Sequence, residues 1–280
     1  MILLGYRDHN VHELVCHEIA KRAGYYDRLG IEVEAVPGSD HPEAPLSAGL
    51  GGSLVEALRG QRRWKVALVH TLHPLFWMWT RKAGTGSTGP TVLAGYPEGS
   101  IVGAFTHKAL KAHWSAEEPP SVLHFPAGST GDRRRLEALT SGVADAAVLG
   151  SAFAPTALSR LGLTDSLFFG VALKFPTAGV AVDVARTSVD HPSVQKIVAA
   201  QTAAIAKVRS RDPAALEAVA SLLHDSSRAD AQRLLADYLS PQYGPDPRDV
   251  HAVGADALEW LAGALNTSGH AAADFYEAVR

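Results

Sequence analysis

Polar side chains that could bind a small ligand follow directly after the first apolar run of the sequence. Residues 2–5 read as a short buried strand, and Arg7, Asp8 and His9 come just after it, with Asn10 at the start of a helical pattern. The planar guanidinium of an arginine suits a carboxylate or a sulfonate. We therefore predict that Arg7, His9 and Asn10 contact a ligand.

A second group of candidates ends another predicted strand, at 65–70. His70 has a side chain whose ordinary pKa lies near neutrality, so it could act as a general base supported by Asp8 or Glu98. These three residues are the catalytic candidates if the protein is an enzyme, and Thr71 is a further ligand contact. The alternative is that they cap helices and bridge structural elements.

Three small-residue turns, each between an apolar run and a helical pattern, are places to hold a polar or anionic group. The turn at 96–100 has Ser100 as its predicted N-cap, and similar turns occur at 125–130 and 149–152. Helix N-termini there, and at Ser53, would present unpaired N–H groups. The predicted ligand contacts on these turns are Gly52, Ser53, Tyr96, Gly99, Ser100, Ser129, Thr130 and Ser151.

An aromatic run, 75–79, predicts a strand with two different faces. Trp77 and Trp79 alternate with Phe76 and Met78, so one face should look into a cleft and the other into the core. Trp77 is a candidate aromatic wall for a flat ligand, with core packing as the alternative.

Metal and thiol chemistry find little support. His12 and His17 are five residues apart, which places them on different faces of a helix, so the zinc-protease pattern is rejected. His9, His12, His70 and His73 would form a metal site only if two strand ends were neighbours, and no carboxylate has a fitting spacing. The prediction is therefore no metal and no cofactor.

Composition excludes several function classes. The 280 residues include 26 Lys and Arg against 29 Asp and Glu, and the net charge of −3 provides no basic field for nucleic acid. Cys16 is the only cysteine, so no intramolecular disulfide can form, and it is expected in the core.

No apolar stretch reaches about 18 residues, so no membrane span is predicted. The first residues lack the pattern of a signal peptide, which leads us to expect a cytoplasmic protein. The run Arg133-Arg134-Arg135 is expected on a solvated face.

The order of elements indicates an α/β protein. A strand, a helix and a strand within the first 40 residues form a βαβ unit, which implies a parallel sheet. A glycine-rich linker is predicted at 82–90, and a second α/β unit starts at 91. The echo of 56–60 in 137–142, each before an apolar run, suggests two similar lobes. Helical patterns dominate after 191.

Two stretches carry a resemblance to a known family. Residues 20–34, Ala20-Lys-Arg-Ala-Gly24-Tyr-Tyr-Asp-Arg-Leu-Gly30-Ile-Glu-Val-Glu34, and residues 136–149, Leu136-Glu-Ala-Leu-Thr-Ser-Gly142-Val-Ala-Asp145-Ala-Ala-Val-Leu149, resemble stretches of type II periplasmic-binding-protein-like chains. The resemblance is to their sulfonate, nitrate and thiamine-precursor-binding branch. It covers roughly residues 1–185 in order.

The resemblance implies two doubly wound α/β lobes hinged about a cleft, with C-terminal helices. One lobe would comprise 1–82 and 178–280 and the other 83–177, with the chain crossing near Arg81 and returning near 175–177, where Thr177 is a predicted ligand contact. It implies a binding protein for an anionic or aromatic solute, of the type that serves ABC transporters, with an ABC permease as partner if the protein is exported. The alternative is a cytoplasmic lyase or decarboxylase without a cofactor, because the fold also hosts such enzymes.

Overall fold

Two five-stranded sheets, each covered by helices, organise the chain. The computed structural model describes residues 1–81, 90–113 and 119–279, so the predicted linker lies, apart from Pro90, outside the described residues. The strands are β1 (Ile2–Tyr6), β2 (Val33–Pro37), β3 (Leu46–Gly49), β4 (Trp64–Thr71), β5 (Phe76–Arg81), β6 (Val92–Gly95), β7 (Ser121–His124), β8 (Ala146–Gly150), β9 (Leu163–Phe168) and β10 (Ala178–Asp183).

The α-helices are α1 (Val11–Arg22), α2 (Tyr25–Arg28), α3 (Leu50–Leu58), α4 (Ile101–His113), α5 (Ser129–Ser141), α6 (Pro155–Arg160), α7 (Phe169–Ala172), α8 (Pro192–Arg209), α9 (Pro213–Leu222), α10 (Arg228–Leu234) and α11 (Pro247–Ala264). A π-helical turn follows α10 at Leu235–Leu239, and a short 3₁₀ helix lies at Gly269–Ala272.

The two sheets have the same topology. The first has the order β2-β1-β3-β10-β4 and the second β7-β6-β8-β5-β9. β1 pairs in parallel with β2, Ile2 opposite Val33, as the βαβ pattern predicts. In each sheet the fourth strand in this order, β10 or β5, is antiparallel to both its neighbours. It is also the first strand that the chain forms after it crosses over from the other sheet. We call the first sheet with its helices the first lobe and the second sheet with its helices the second lobe.

Sheet membership corrects one detail of the predicted division. A boundary at residue 82 assigns Phe76–Arg81 to the first lobe, whereas β5 pairs with β8 and β9 in the second sheet. The chain therefore crosses between Thr71 and Phe76. The crossing comes earlier because the glycine-rich stretch follows β5 and does not precede it.

The start of α3 also differs from the expectation. The sequence predicts a strand at 46–50 and a turn at 51–53, but β3 ends at Gly49 and the helix begins at once at Leu50. Ser53 is therefore inside the helix, fully buried, and its Oγ donates a hydrogen bond to the carbonyl oxygen of Gly49 at 3.0 Å. It is not a helix N-terminus as predicted.

The C-terminal helices pack against both lobes. α8 and α9 lie against α1 of the first lobe, where Cys16 is fully buried in the core as expected. The ring of Tyr238 meets Trp77 of the second sheet edge-on at 5.2 Å, and Trp260 of α11 stacks on Phe105 of α4 at 5.9 Å. These contacts hold the lobes together. Among the described residues, no helix combines the length and apolar character needed to cross a membrane.

Candidate functional site

A cavity of about 330 Å³ lies between the two lobes. The first lobe contributes the loop after β1, the first turn of α1, one face of α3 and the residue before β10. The second lobe contributes the start of β5, the turn 96–100, the start of α4 and the loop before α5. The main lining side chains are Arg7, Asp8, His12, Glu13, Val55, Glu56, Arg59, Phe76, Tyr96, Glu98, Ile101, Val102 and Thr177.

Arg7 lies along the glycine-rich start of α3. A Cβ atom added to Gly52 would lie 3.0 Å from both Cγ and Nε of Arg7, so the glycine makes room for this side chain. Its Nη2 forms an ion pair with Oε1 of Glu56, and Oε2 of Glu56 accepts a hydrogen bond from Nε1 of Trp64 at 2.8 Å. The guanidinium is therefore already paired.

Asp8 and Glu13 are two carboxyl groups buried at the cavity, only 4% and 5% exposed. Glu13 Oε2 accepts the backbone N–H of Arg7 at 3.0 Å, and Asp8 Oδ1 accepts the backbone N–H of Gly128 from the other lobe. Burial raises the pKa of both groups well above the ordinary range, and their mutual repulsion raises the pKa of Glu13 further. The nearby carboxyl of Asp132 also raises the pKa of Asp8.

His12 is a neutral imidazole held across the lobes by Ser151. Ser151 Oγ accepts the backbone N–H of His12 at 3.1 Å and lies 2.8 Å from its Nδ1. The hydroxyl hydrogen is then free to be donated to Nδ1, which leaves the ring proton on Nε2. Burial lowers the pKa of His12 to about 3, so the ring stays uncharged at neutral pH.

Side chains of the first lobe accept hydrogen bonds from backbone N–H groups of the second lobe. The amide of Gly128, just before α5, binds Asp8, and the amide of Ala152, after β8, donates to Oδ1 of Asn10 at 3.0 Å. Ser100 caps α4 as predicted, since its Oγ accepts the N–H of Gly103 at 3.1 Å. These donors, which the sequence analysis expects to face a ligand, are therefore satisfied within the protein.

Tyr96 forms part of the cavity wall in the second lobe, and its position is fixed by contacts with Asp132 and Arg135. Its hydroxyl donates to Oδ1 of Asp132 at 3.1 Å, and the guanidinium of Arg135 lies 3.6 Å from the centroid of its ring. Arg135 also pairs with Asp132 and is fully buried. The expectation of a solvated Arg133-Arg134-Arg135 face is thus wrong for Arg135, because this side chain points from α5 into the protein.

The aromatic strand presents Phe76, not Trp77, to the cavity. Phe76 lines it, and its ring meets Tyr96 edge-on at 5.7 Å. Trp77 points to the opposite face of the second sheet, where it stacks on Phe168 at 4.9 Å. Core packing, the alternative weighed for Trp77, is what the structure shows.

No protein-family model matches the chain, and no curated protein matches it. Solved structures do match. The alkanesulfonate-binding protein SsuA from Xanthomonas axonopodis pv. citri, bound to MOPS, has a TM-score of 0.73 and 14% identity over 100% of this chain and 97% of its own. A Candida albicans gene product with the generic periplasmic binding protein fold has a TM-score of 0.70 and 14% identity over 100% and 96%. The desulfurization enzyme DSZB has a TM-score of 0.69 and 16% identity over 95% and 93%.

This chain has the periplasmic-binding-protein fold. The fold class predicted from the sequence, with two α/β lobes about a cleft, is confirmed.

About half of the residues predicted to bind a ligand or to act in catalysis line the cavity of this periplasmic-binding-protein fold. Those that line it are Arg7, Asp8, Gly52, Tyr96, Glu98, Gly99, Ser100 and Thr177. Those that do not are His9, Asn10, Ser53, His70, Thr71, Trp77, Thr130 and Ser151, and the side chain of Ser129 lies outside the part of the structure that is described. Asn10 and Ser151 still act beside it, because they tie the lobes together and Ser151 sets the state of His12.

His70 is placed in the core of the first lobe and not in the cavity. Its Nε2 lies 2.8 Å from Oε1 of Gln201 on α8, its ring stacks on Tyr243 at 6.3 Å, and burial lowers its pKa to about 4. A general base needs access to substrate, so the structure does not support that role for His70. Thr71 is also buried, and its Oγ1 accepts the N–H of His73.

The four histidines weighed as metal ligands have separate surroundings. His12 binds Ser151, His70 binds Gln201, and Nδ1 of His73 lies 2.6 Å from the carbonyl oxygen of Gly170. The ring of His9 stacks at 6.3 Å on that of His224. Within the described residues, no group of three or more His, Cys, Asp or Glu side chains is arranged to hold a metal ion.

Glu13 and Glu56 are cavity residues that the sequence reasoning missed. Glu13 stands three residues after the N-cap position Asn10, the spacing of a capping box, which is a signal for a side chain that folds back on the preceding loop. It reaches Arg7 instead of Asn10. Glu56 offers no local signal, because only the packing of α3 under the β1 loop brings it to Arg7.

Proposed function

We propose that this protein binds a small organic solute in the cavity between its lobes, in the manner of a solute-binding protein. The observation that carries the proposal is the cavity itself, of about 330 Å³ and with walls from both lobes. Volumes of this order suit small molecules. Phe76 and Tyr96 supply an aromatic surface, and the charged and polar groups around Arg7 supply orientation.

The comparisons support the proposal through the fold. The Xanthomonas protein of similar fold binds an alkanesulfonate. If this chain is exported, we propose that it delivers its solute to an ABC permease; if it acts in the cytoplasm, it holds the solute without transport.

A thermal-shift screen of small solutes, followed by calorimetry, tests the proposal. A ligand that binds the folded state raises the melting temperature by mass action. Val55→Trp places a bulky side chain in the cavity and is expected to abolish the shift. Val143→Trp makes the same substitution at a site that is 62% exposed and serves as the matched control. A ligand that binds both variants equally would show that the cavity is not the site.

A lyase or decarboxylase without a cofactor is the second candidate, and Asp8 is the observation in its favour. This carboxyl lines the cavity with its pKa raised by burial and by Asp132, as a general acid or base requires. Incubation of a bound solute with stoichiometric protein, followed by mass spectrometry, separates the candidates. An unchanged solute favours the binding protein, whereas conversion by the wild type and its loss in Asp8→Asn favour the enzyme.

A further inference from the structure

The cavity lining contains more carboxyl groups than guanidinium groups. It contains the carboxyl groups of Asp8, Glu13, Glu56 and Glu98 and the guanidinium groups of Arg7 and Arg59. Both guanidinium groups have protein partners, because Arg7 pairs with Glu56 and Nη2 of Arg59 donates to the carbonyl oxygen of Gly99 at 3.1 Å. The N–H groups of Gly128 and Ala152 are occupied as well. The lining therefore holds four carboxyl groups against two guanidinium groups, and each guanidinium already donates to a protein acceptor.

Within the described residues, the two buried carboxyl groups lack a directly paired cation, and Arg7 acts on both from a greater distance. Among the described residues, no ion pair includes Asp8 or Glu13. Removing a carboxylate from water without a counter-charge is costly, and backbone N–H groups offset that cost only in part. A cation brought into the cavity would supply the missing partner.

Thr177 adds an independent indication that a polar ligand group belongs here. This residue lines the cavity, is 4% exposed, and its Oγ1 has no hydrogen-bond partner among the described residues. Buried hydroxyl groups are nearly always hydrogen-bonded. A hydroxyl oxygen can accept a hydrogen bond from a ligand N–H group.

The remaining walls are apolar. Phe76 and Tyr96, together with Val55, Ile101 and Val102, surround the polar end of the cavity. The described residues provide no cluster of ligands for a metal ion. An organic cation with directional N–H groups and a compact apolar body fits this lining better than a metal ion does.

We propose that the solute is a small organic ammonium compound, whose N–H groups bind Asp8 and Glu13 and whose apolar body lies against Phe76 and Tyr96. The proposal rests on the proposed function, and it replaces the anionic charge in the prediction of an anionic or aromatic solute with a cationic one.

Matched probes test the inference. Methyl, butyl and benzyl compounds are each titrated as the primary amine and as the carboxylate into the wild-type protein near neutral pH, by calorimetry. We expect an amine to bind about tenfold or more tightly than the carboxylate with the same body. Glu13→Gln should weaken the amine by a similar factor. Glu18→Gln, on the same helix but paired with Arg22 away from the cavity, is the matched control and should change nothing.

A second measurement needs only the wild type and so remains valid if Glu13→Gln fails to fold. Asp8 faces Glu13, Arg7, Asp132 and Arg135, and Glu13 faces Asp8 and Arg7. A cation placed among these groups stabilises the charged carboxylates, so amine binding should release protons. Titration in two buffers of different ionisation enthalpy measures this release.

The outcomes separate the two proposals. A carboxylate that binds more tightly than its amine would overturn the ammonium assignment. A carboxylate whose binding takes up protons and is lost in Val55→Trp would overturn it too. Either result leaves the binding function intact. Failure of all six probes at millimolar concentration would count against both.

Discussion

Asp8 Oδ1 accepts a hydrogen bond from the backbone N–H of Gly128, which joins the loop after β1 in the first lobe to the N-cap residue of α5 in the second. The same carboxyl lines the cavity. A single residue therefore takes part both in holding the lobes together and in the chemistry of the site.

The first prediction concerns this hydrogen bond. Asp8→Ala leaves the Gly128 N–H without its acceptor, and we expect the free energy of unfolding to fall by about 1–3 kcal/mol. Asp8→Asn retains an acceptor oxygen and removes the buried charge, so its loss should be much smaller. Urea unfolding of the three proteins measures the difference. Equal losses in both variants would show that the hydrogen bond between the lobes contributes little.

The second prediction concerns the tautomer of His12. With Ser151 donating to Nδ1 and a pKa of about 3, the ring should remain neutral and protonated at Nε2 across the range from about pH 5 to 8. Nitrogen chemical shifts of the imidazole measure both properties. Ser151→Ala should change the tautomer populations and destabilise the fold by about 1–3 kcal/mol. Titration of His12 within this range in the wild type would refute the assignment.

Local patterns predicted much of the frame. The run 2–5 became β1, and the helical spacing of Val11, Leu14 and Ile19 became α1, because side-chain periodicity depends on which face is buried. The similarity of 56–60 to 137–142 correctly suggests two similar lobes, but the two segments do not occupy equivalent positions in those lobes. The first ends the helix between β3 and β4, and the second ends the helix between β7 and β8.

The site could be predicted less well, because long-range packing decides which strand ends stay open. His70 is the next-to-last residue of β4, but Gln201 of α8, about 130 positions later in the chain, covers it. The alternation in β5 predicts two faces but not which one meets the cavity, and the structure places Phe76, not Trp77, in the lining. Glu56 reaches Arg7 across 49 positions, a distance over which local pattern carries no information.

The third prediction is that stability falls as the pH rises through the raised pKa values of Asp8 and Glu13. The pKa of Glu13 and that of Asp8 are raised in the folded state, so between the ordinary carboxyl pKa and the raised one the folded protein holds more protons than the unfolded chain. Stability then decreases with increasing pH, by at most about 1.4 kcal/mol per pH unit for each group. Because the raised pKa values are about 7 for Asp8 and about 8 for Glu13, urea unfolding between about pH 6.5 and 8 measures the slope, which Glu13→Gln should flatten. An unchanged slope would contradict the assignment.

The fourth prediction has the opposite sign below neutrality. Burial lowers the pKa of His17 and of His70 to about 4 and that of His12 to about 3, so the unfolded chain takes up protons below about pH 6.5 before the folded protein does. Asp8 and Glu13 contribute the opposite slope in this range, but three histidines outweigh two carboxyl groups, so stability is lost as the pH falls. His70→Gln removes one of these groups, and the slope of unfolding free energy between about pH 5 and 6.5 should decrease with it. A slope unaffected by the substitution would show that His70 titrates normally in the folded state.

The last prediction tests whether the cavity depends on close contact between the lobes. Gly51 of α3 faces Ile101 of α4, and a Cβ atom on Gly51 would lie 3.1 Å from both Cγ atoms of Ile101. Gly51→Leu should therefore push α3 and α4 apart, enlarge the radius of gyration in solution scattering, and cost about 1–3 kcal/mol through overpacking. It should also weaken the binding of any cavity ligand, because that ligand would lose simultaneous contact with both walls. Gly263→Leu makes the same substitution in α11, where a Cβ atom has nothing within 4 Å, and should leave both scattering and binding unchanged. If Gly51→Leu keeps the wild-type radius of gyration and ligand affinity, contact between α3 and α4 does not govern the site.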